Sequence, residues 1–251
     1  MIMYSLLVAC FAIMPFQMQA ADTVQPQTLY PTTGWIHAEF LKRIHDPDRN
    51  VRRRAMNDLY QLKDDQLRSS VTELMPVLIE HARQQEENSD LAVLALGRMG
   101  DRSSLQAVRE IKGLAEVGIR RNISSGIVSR RLYNATISVM ARFDEPTAIQ
   151  EVKSLLKSEN MTNIVQGVEH VKFAGEKMGK QLLPLLHDKR FCGVQSGNPE
   201  SGFEIRVCDV AGFAVIDICK LDWEIIKTGP PFSDAQLELI RALVEEQRRK
   251  R

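Results

Sequence analysis

The chain has 251 residues, of which 44% are hydrophobic and 26% are charged, and its formal net charge is +1. A nearly neutral chain produces no general field that would draw it to nucleic acid or to an anionic membrane. Aromatic residues make up only 6% of the chain, while Leu, Ala, Met, Arg, Glu and Gln are abundant, which favours helices over a β-sandwich.

The first twenty residues carry no charged side chain and contain an apolar run, Leu6–Met14, that Pro15 interrupts. Because this run is too short to span a bilayer, we interpret residues 1–20 as a signal peptide and predict export to the periplasm or the medium. Leu7–Cys10 also resembles a lipoprotein cleavage box, and a retained anchor or a mis-assigned start remains open. Residues 21–33 are polar and contain two prolines, which indicates a flexible leader.

Helix-type spacing of apolar residues dominates from residue 34 onward, and we predict one helical domain over 34–251. Val51, Ala55, Leu59 and Leu62, for example, form one apolar stripe. The sequence contains no alternating run of β-branched residues closed by Asn-Gly or Asp-Gly, so no strand is predicted. The predicted helices are Trp35–His45, Asn50–Leu62, Leu67–Arg83 (kinked or broken at Pro76), Ser89–Met99, Ser103–Leu114, Ile123–Phe143, 146–157, Asn160–Phe173, Glu176–His187, Phe203–Lys220 and Asp234–Arg248.

The turns between paired helices recur near Asp64, Asp101, Asp144 and Gly175, at intervals of roughly 30 to 45 residues, which is the period of stacked helical hairpins. We therefore predict an all-α fold, a right-handed α-solenoid of about five hairpins. The first helix of each hairpin is expected on the convex face and the second on the concave face.

Two stretches resemble HEAT-type helical repeats. Asp46–Arg52 (DPDRNVR), with Ala55 and Leu59 after it, resembles the start of such a repeat. Ala95–Asp101 (ALGRMGD) resembles its middle, where one helix turns into the next. Looser copies lie at 143–149 and 182–188, and Arg206–Ala211 resembles a closing repeat.

The resemblance implies a structural role for Arg52, because the corresponding arginine lies inside the stack near an acidic turn. Asp46 or Asp48 is its expected partner, and Asp101 is assigned a structural role in the second copy. A guanidinium suits this position because it reaches several acceptors at once. The two arginines that follow Arg52 are expected in solvent, and phosphate binding by the cluster is the alternative.

Signatures of catalysis are not found in the sequence. It contains no Gly-x-Ser-x-Gly, no glycine-rich phosphate loop and no zinc-protease spacing, and its five histidines lie far apart. The His-Glu dipeptides with which some HEAT-like enzymes hold iron are missing as well. We therefore predict a protein without catalytic residues, metal or cofactor. A hydrolase or lyase whose site is assembled across repeats is the alternative.

The sequence resembles exported HEAT-like proteins of bacteria, which implies a non-catalytic scaffold that binds a protein partner, with no membrane span. A cytoplasmic nucleic-acid-binding HEAT-like protein is a further alternative. The four cations at 248–251 suit a helix end, or a weak contact with an anionic partner. The partner is expected on exposed parts of the second helices, with candidate residues Arg68, Glu73, Arg102, Arg109, Lys112, Lys153 and Lys177.

Residues 189–203 are rich in Gly, Ser, Asn and Pro, and we predict an irregular loop there. Such a loop is either an insertion without a role or a segment that carries a functional site on a repeat scaffold. In an oxidising compartment a disulfide between Cys192 and Cys208 is possible, and unbridged or buried thiols are the alternative. Cys219 is interpreted as part of an apolar stripe.

Overall fold

The computed structural model describes residues 33–121, 126–196, 203–222 and 231–249, and most of these are helical. The prediction of a mainly helical chain is confirmed, whereas the predicted signal peptide lies outside the described residues. The helices are α1 (Thr33–Ile44), α2 (Arg49–Tyr60), α3 (Asp64–Arg68), α4 (Val71–Arg83), α5 (Ser89–Met99), α6 (Leu105–Arg120), α7 (Gly126–Arg142), α8 (Pro146–Leu156), α9 (Met161–Ala174), α10 (Glu176–Gly179), α11 (Val207–Cys219) and α12 (Asp234–Arg249), with 3-10 helices η1 (Arg102–Ser104) and η2 (Lys180–His187).

Helix ends follow local capping signals. α2 begins at Arg49 because the Asp48 side chain accepts a hydrogen bond from the backbone N–H of Asn50 at 2.8 Å. α5 has the predicted bounds, Ser89–Met99, and ends where Gly100 takes a left-handed conformation with a φ of 76°. A few side chains therefore decide where these helices start and stop.

The bounds of two predicted helices that contain a proline require a correction. α4 continues through Pro76, and the interruption lies earlier, at Ser69 and Ser70, between α3 and α4. The hydroxyls of both serines donate to a backbone carbonyl of α3 at 2.8 and 2.9 Å and so compete with helix continuation. The predicted helix Glu176–His187 is instead the short α10 followed by η2. Pro184 lies in this segment and has no N–H to donate to an α-helical ladder.

The prediction of an irregular loop at residues 189–203 is wrong for its strand segments. β1 (Phe191–Ser196) pairs antiparallel with β2 (Phe203–Arg206), with a register shift between Phe191 and Val194. The backbone N–H groups that follow β2 donate to carbonyls that precede β1, at 3.0 and 2.8 Å. Strand pairing between distant residues thus overrides the turn-like composition. Because β2 occupies Phe203–Arg206, α11 begins at Val207 rather than at Phe203.

The helices contact one another in two series. In the first, α2 packs on α5, α5 on α7, α7 on α9 and α9 on α11. In the second, α1 packs on α4 and α4 on α6, while α8 packs on η2 and η2 on α12. The two series are joined pairwise through α1 with α2, α4 with α5, α6 with α7, α8 with α9 and η2 with α11. Most packing is therefore between elements that are close in the sequence.

Buried hydrophobic residues form one core from Phe40 in α1 to Val244 in α12. α7 is its centre, since it packs on α5, α6, α8 and α9, and every residue from 135 to 141 is buried. Small residues let neighbouring helices approach here, as at Gly97 of α5, which lies against Val139 and Phe173. None of the described helices is long and apolar enough to cross a membrane.

Candidate functional site

Arg52 lies between its own acidic turn and the loop that follows α4. Its Nη1 donates to the backbone carbonyls of Asp46 and Pro47 at 2.9 and 3.0 Å. Its Nε and Nη2 donate to Glu86 Oε2 at 3.2 and 3.1 Å. The charged partner is therefore Glu86, not the carboxylate of Asp46 or Asp48 as expected, because both of those side chains accept backbone N–H groups in the turn before α2 and within its first turn.

Arg98, in the last turn of α5, makes contacts of the same kind that sequence reasoning missed. It donates to Asp64 Oδ1 at 2.7 Å and to the backbone carbonyls of Tyr60, the last residue of α2, and Leu62, in the turn after it. Its guanidinium also lies 5.2 Å from the centre of the Tyr60 ring. The signal in the sequence that could have identified Arg98 was a basic residue near the C-terminus of a predicted helix. Its role is to join the end of α5 to the turn after α2.

Asp101 and Arg142 also make hydrogen bonds that stabilise the fold. The Asp101 side chain accepts a hydrogen bond from the backbone N–H of Ser103 at 2.8 Å, which lowers the pKa of the carboxyl group and starts η1. Arg142, at the end of α7, donates to the backbone carbonyl of Phe173 at 3.0 Å. It therefore joins α7 to α9, much as Arg98 joins α5 to α2.

The residues predicted to bind a partner do not form one cluster, since they are spread over α3, α4, η1, α6, α8 and α10. Glu73 is exposed on α4, and Lys153 is half-buried on α8. The remaining cations pair with carboxylates of the chain: Arg68 with Asp64 (3.8 Å), Arg102 and Lys177 with Asp144 (3.9 and 2.7 Å), Arg109 with Glu145 (2.7 Å) and Lys112 with Glu116 (3.2 Å). The pairs with Asp144 and Glu145 join separate elements, whereas the pairs of Arg68 and Lys112 lie within one helix.

A groove between η2 and α12 is a concave feature of the described surface. It encloses about 440 Å³ and lies at the end of the series that contains α8. Sequence reasoning assigned both flanking segments to second helices, and it singled out Arg248 as one of the four cations at 248–251 that could contact an anionic partner. The lining residues are Lys180, Gln181, Leu183, Pro184, His187, Arg241 and Arg248.

Arg241 lines the groove and contacts a histidine of η2 and a carboxylate of α12. Arg241 Nη1 lies 3.1 Å from His187 Nε2, and Arg241 Nε donates to Glu245 Oε1 at 3.3 Å. Since a guanidinium cannot accept a hydrogen bond, His187 accepts at Nε2 and carries its proton on Nδ1. That Nδ1 lies 3.8 Å from Glu238 Oε1. These contacts fix Arg241 against η2.

Lys180 and Arg248 are two further exposed cations of the groove. Both side chains are in solvent, and within the described ranges no carboxylate pairs with either of them. Leu183 and Pro184 provide apolar surface on the same wall. The groove can therefore hold a small anionic group beside an apolar one.

A serine–histidine contact lies in the core, away from this groove. Ser138 Oγ is 2.7 Å from His170 Nδ1, and both residues are buried. Burial lowers the pKa of His170 to about 4, so the imidazole is neutral at neutral pH. Gln166 lies 3.4 Å from its other ring nitrogen. Because a substrate has no access to this pair, we interpret it as a polar link between α7 and α9.

Ionisable groups elsewhere in the described residues do not form a metal-binding group of three or more His, Cys, Asp or Glu side chains. Cys192 and Cys208 carry reduced thiols, and no bond joins them in the structure. Cys192 Sγ instead donates to the backbone carbonyl of Ile205 on β2 at 2.8 Å. The possible disulfide between Cys192 and Cys208 is thus not formed in this structure.

We expect iodoacetamide to modify Cys192 faster than Cys208 in the folded, unreduced protein. Cys208 is fully buried, and burial, with the neighbouring Asp209 carboxylate, raises the pKa of its thiol. Cys192 is only half-buried. Peptide mass spectrometry after timed alkylation measures both rates, with denatured protein as the control in which the rates converge. A peptide pair cross-linked through Cys192 and Cys208 would contradict the reduced state.

Comparisons with known proteins do not assign this arrangement to a family. No protein-family model matches the sequence, and no curated protein matches it either. The candidate site therefore rests on the geometry of the groove between η2 and α12.

Proposed function

We propose that the chain is an exported, non-catalytic scaffold of the HEAT-like type, a right-handed α-solenoid that binds a protein partner. The two series of helix contacts support the solenoid, because each hairpin packs mainly on the hairpins before and after it. The repeat-like motifs at Asp46–Arg52 and Ala95–Asp101 support the HEAT-like assignment.

The groove between η2 and α12 carries the binding part of the proposal. It is concave, open and lined by cations around an apolar surface, which is the composition of a site for a polar partner segment. It lies in the series that contains most of the predicted second helices. The balanced ion pairs along the rest of this series make the groove the strongest candidate for a contact surface.

Site-specific photocrosslinking in the native compartment tests this function. Benzoylphenylalanine in place of Leu183, which lines the groove, is expected to give one discrete protein adduct that excess unlabelled protein suppresses. The matched control places the same group at Asn57, an exposed residue of α2. Equal adducts at both positions, or an adduct that unlabelled protein does not suppress, would refute partner binding at the groove.

Export is tested separately by sequencing the N-terminus of the protein purified from its source. A mature N-terminus near Ala20 or Asp22 is expected if residues 1–20 are a signal peptide. A chain that keeps Met1 in the cytoplasm would remove export from the proposal and reopen the nucleic-acid alternative.

A further inference from the structure

We infer that the groove between η2 and α12 binds a short acidic segment of the partner that carries one bulky aliphatic side chain. This inference rests on the proposed function and adds the chemistry of the partner. Its basis is the arrangement of three exposed cations and two apolar residues in one groove, with two carboxylates beside His187 and Arg241.

Charge complementarity identifies the acidic part of the segment. Lys180 on η2 and Arg248 on α12 face the groove without a carboxylate partner in the described part of the chain. Arg241 also lines the groove, where it contacts His187 and Glu245. Carboxylates match such donors, and an arginine can hold one with two parallel hydrogen bonds. Two or three acidic side chains on the partner would satisfy this set.

The apolar wall identifies the aliphatic part of the segment. Leu183 is half-buried and Pro184 is exposed, and both line the groove between the cations. A charged group placed on these side chains would lose water without gaining a partner, whereas an aliphatic side chain removes apolar surface from water. The groove therefore favours a mixed segment over a purely acidic one.

The acidic margin distinguishes a peptide from a long polyanion. Glu238 and Glu245, both half to two-thirds exposed, lie beside His187 and Arg241 at the edge of the groove. A nucleic acid or polyphosphate carries its charge continuously and would meet these carboxylates wherever it left the groove. A short peptide can place its charges at the centre and neutral residues at the margin. The observations thus favour an acidic peptide.

Fluorescence anisotropy with three labelled peptides of equal length tests the inference. The first contains Glu-Asp-Leu-Glu-Glu, the second has Ser in place of Leu, and the third has Lys in place of every acidic residue. The first peptide is expected to bind full-length protein more tightly than the second, and the third is expected not to bind. Binding of the first peptide should weaken as salt is added, because the contacts are exposed.

A double charge reversal, Lys180→Glu with Arg248→Glu, is expected to weaken the first peptide by about tenfold, since two attractions become repulsions. The matched control is Arg54→Glu with Lys157→Glu, two exposed cations outside the groove, and should bind as wild type does. Lys180→Gln with Arg248→Gln gives an intermediate loss. Circular dichroism verifies that all three variants are folded, which is expected because the substituted side chains are exposed.

Three outcomes overturn the inference: the three peptides bind alike or not at all, the groove and control variants bind alike, or a single-stranded RNA or polyphosphate binds the groove more tightly than the first peptide. The Leu183 photocrosslink separates this failure from failure of the proposed function. A suppressible adduct at Leu183 without peptide binding refutes only the acidic partner, whereas loss of both refutes the scaffold function as well.

Discussion

The substitution Asp209→Ala is expected to lower the free energy of unfolding by about 3–5 kcal/mol, because it removes one partner of a buried ion pair. Asp209, on α11, is fully buried. Its Oδ2 accepts from Arg206 Nε and from the Arg206 backbone N–H, each at 3.0 Å, and its Oδ1 accepts from Arg206 Nη2 and the Phe232 backbone N–H, each at 2.9 Å. The alanine variant leaves all four donors without this acceptor.

Urea unfolding followed by circular dichroism measures the change. Asp217→Ala is the matched control, because Asp217 lies on the same helix but is half-exposed and makes an ion pair with Lys172 at 2.7 Å. An exposed pair contributes at most about 1 kcal/mol, so the control should unfold nearly as the wild type does. Similar losses for the two variants would show that the buried network contributes no more than a surface pair.

The same network predicts a dependence on pH. Burial alone would raise the pKa of Asp209 from its usual value of 3.8, but the hydrogen bonds from Arg206 and Phe232 outweigh it and lower the pKa. A carboxyl group with a depressed folded pKa contributes stability that is fully present above the unfolded value and is lost as the pH falls through the folded value. The stability difference between wild type and Asp209→Asn should therefore be constant above about pH 4 and shrink below it.

Gly97→Ala is expected to destabilise the protein by about 1–3 kcal/mol through overpacking. A Cβ atom on Gly97 would lie 2.6 Å from Val139 Cγ2 and 2.9 Å from Phe173 Cε1. These side chains belong to α7 and α9, so the strain falls where the first series of helices packs most closely. Thermal and urea unfolding of the variant measure the loss.

Gly113→Ala is the control for this prediction. Gly113 also lies inside a helix, α6, but it is exposed and a Cβ atom there would meet nothing within 4 Å. This substitution should stabilise the protein by about 0.5–1 kcal/mol, because alanine loses less backbone entropy on folding. Both variants gain the same helix propensity, so the difference between them isolates packing. Equal stabilisation by the two substitutions would refute the close contact at Gly97.

Features set by neighbouring residues were predictable from the sequence. The start of α2 depends on Asp48 and the end of α5 on Gly100, and both lie within one turn of the helix that they limit. The apolar spacing that predicts helices likewise acts over a few residues. The mainly helical class follows from signals of this kind.

Features that join distant residues were not predictable. The β1–β2 pairing joins backbone groups of two separate segments. The turn-like composition of the residues between these segments gives no sign of the pairing. The groove depends on the position of α12 beside η2, where Arg241 meets a histidine 54 residues earlier in the chain. Without the helix packing, Lys180 and Arg248 are ordinary surface cations in the sequence. The candidate partner-binding residues chosen from the sequence therefore lie outside the groove.

The attachment of α12 also affects how long the groove exists. α7 is enclosed by four helices, whereas α12 packs mainly on α11 and η2, and the chain before it is anchored by Asp209 through Phe232. Elements with few packed neighbours open locally at a lower free energy than the global unfolding reaction. A transient detachment of α12 would remove one wall of the groove while the core around α7 stays folded. The lifetime of the groove is then set by local opening of α12, and the anchor at Asp209 controls it without touching any residue of the groove.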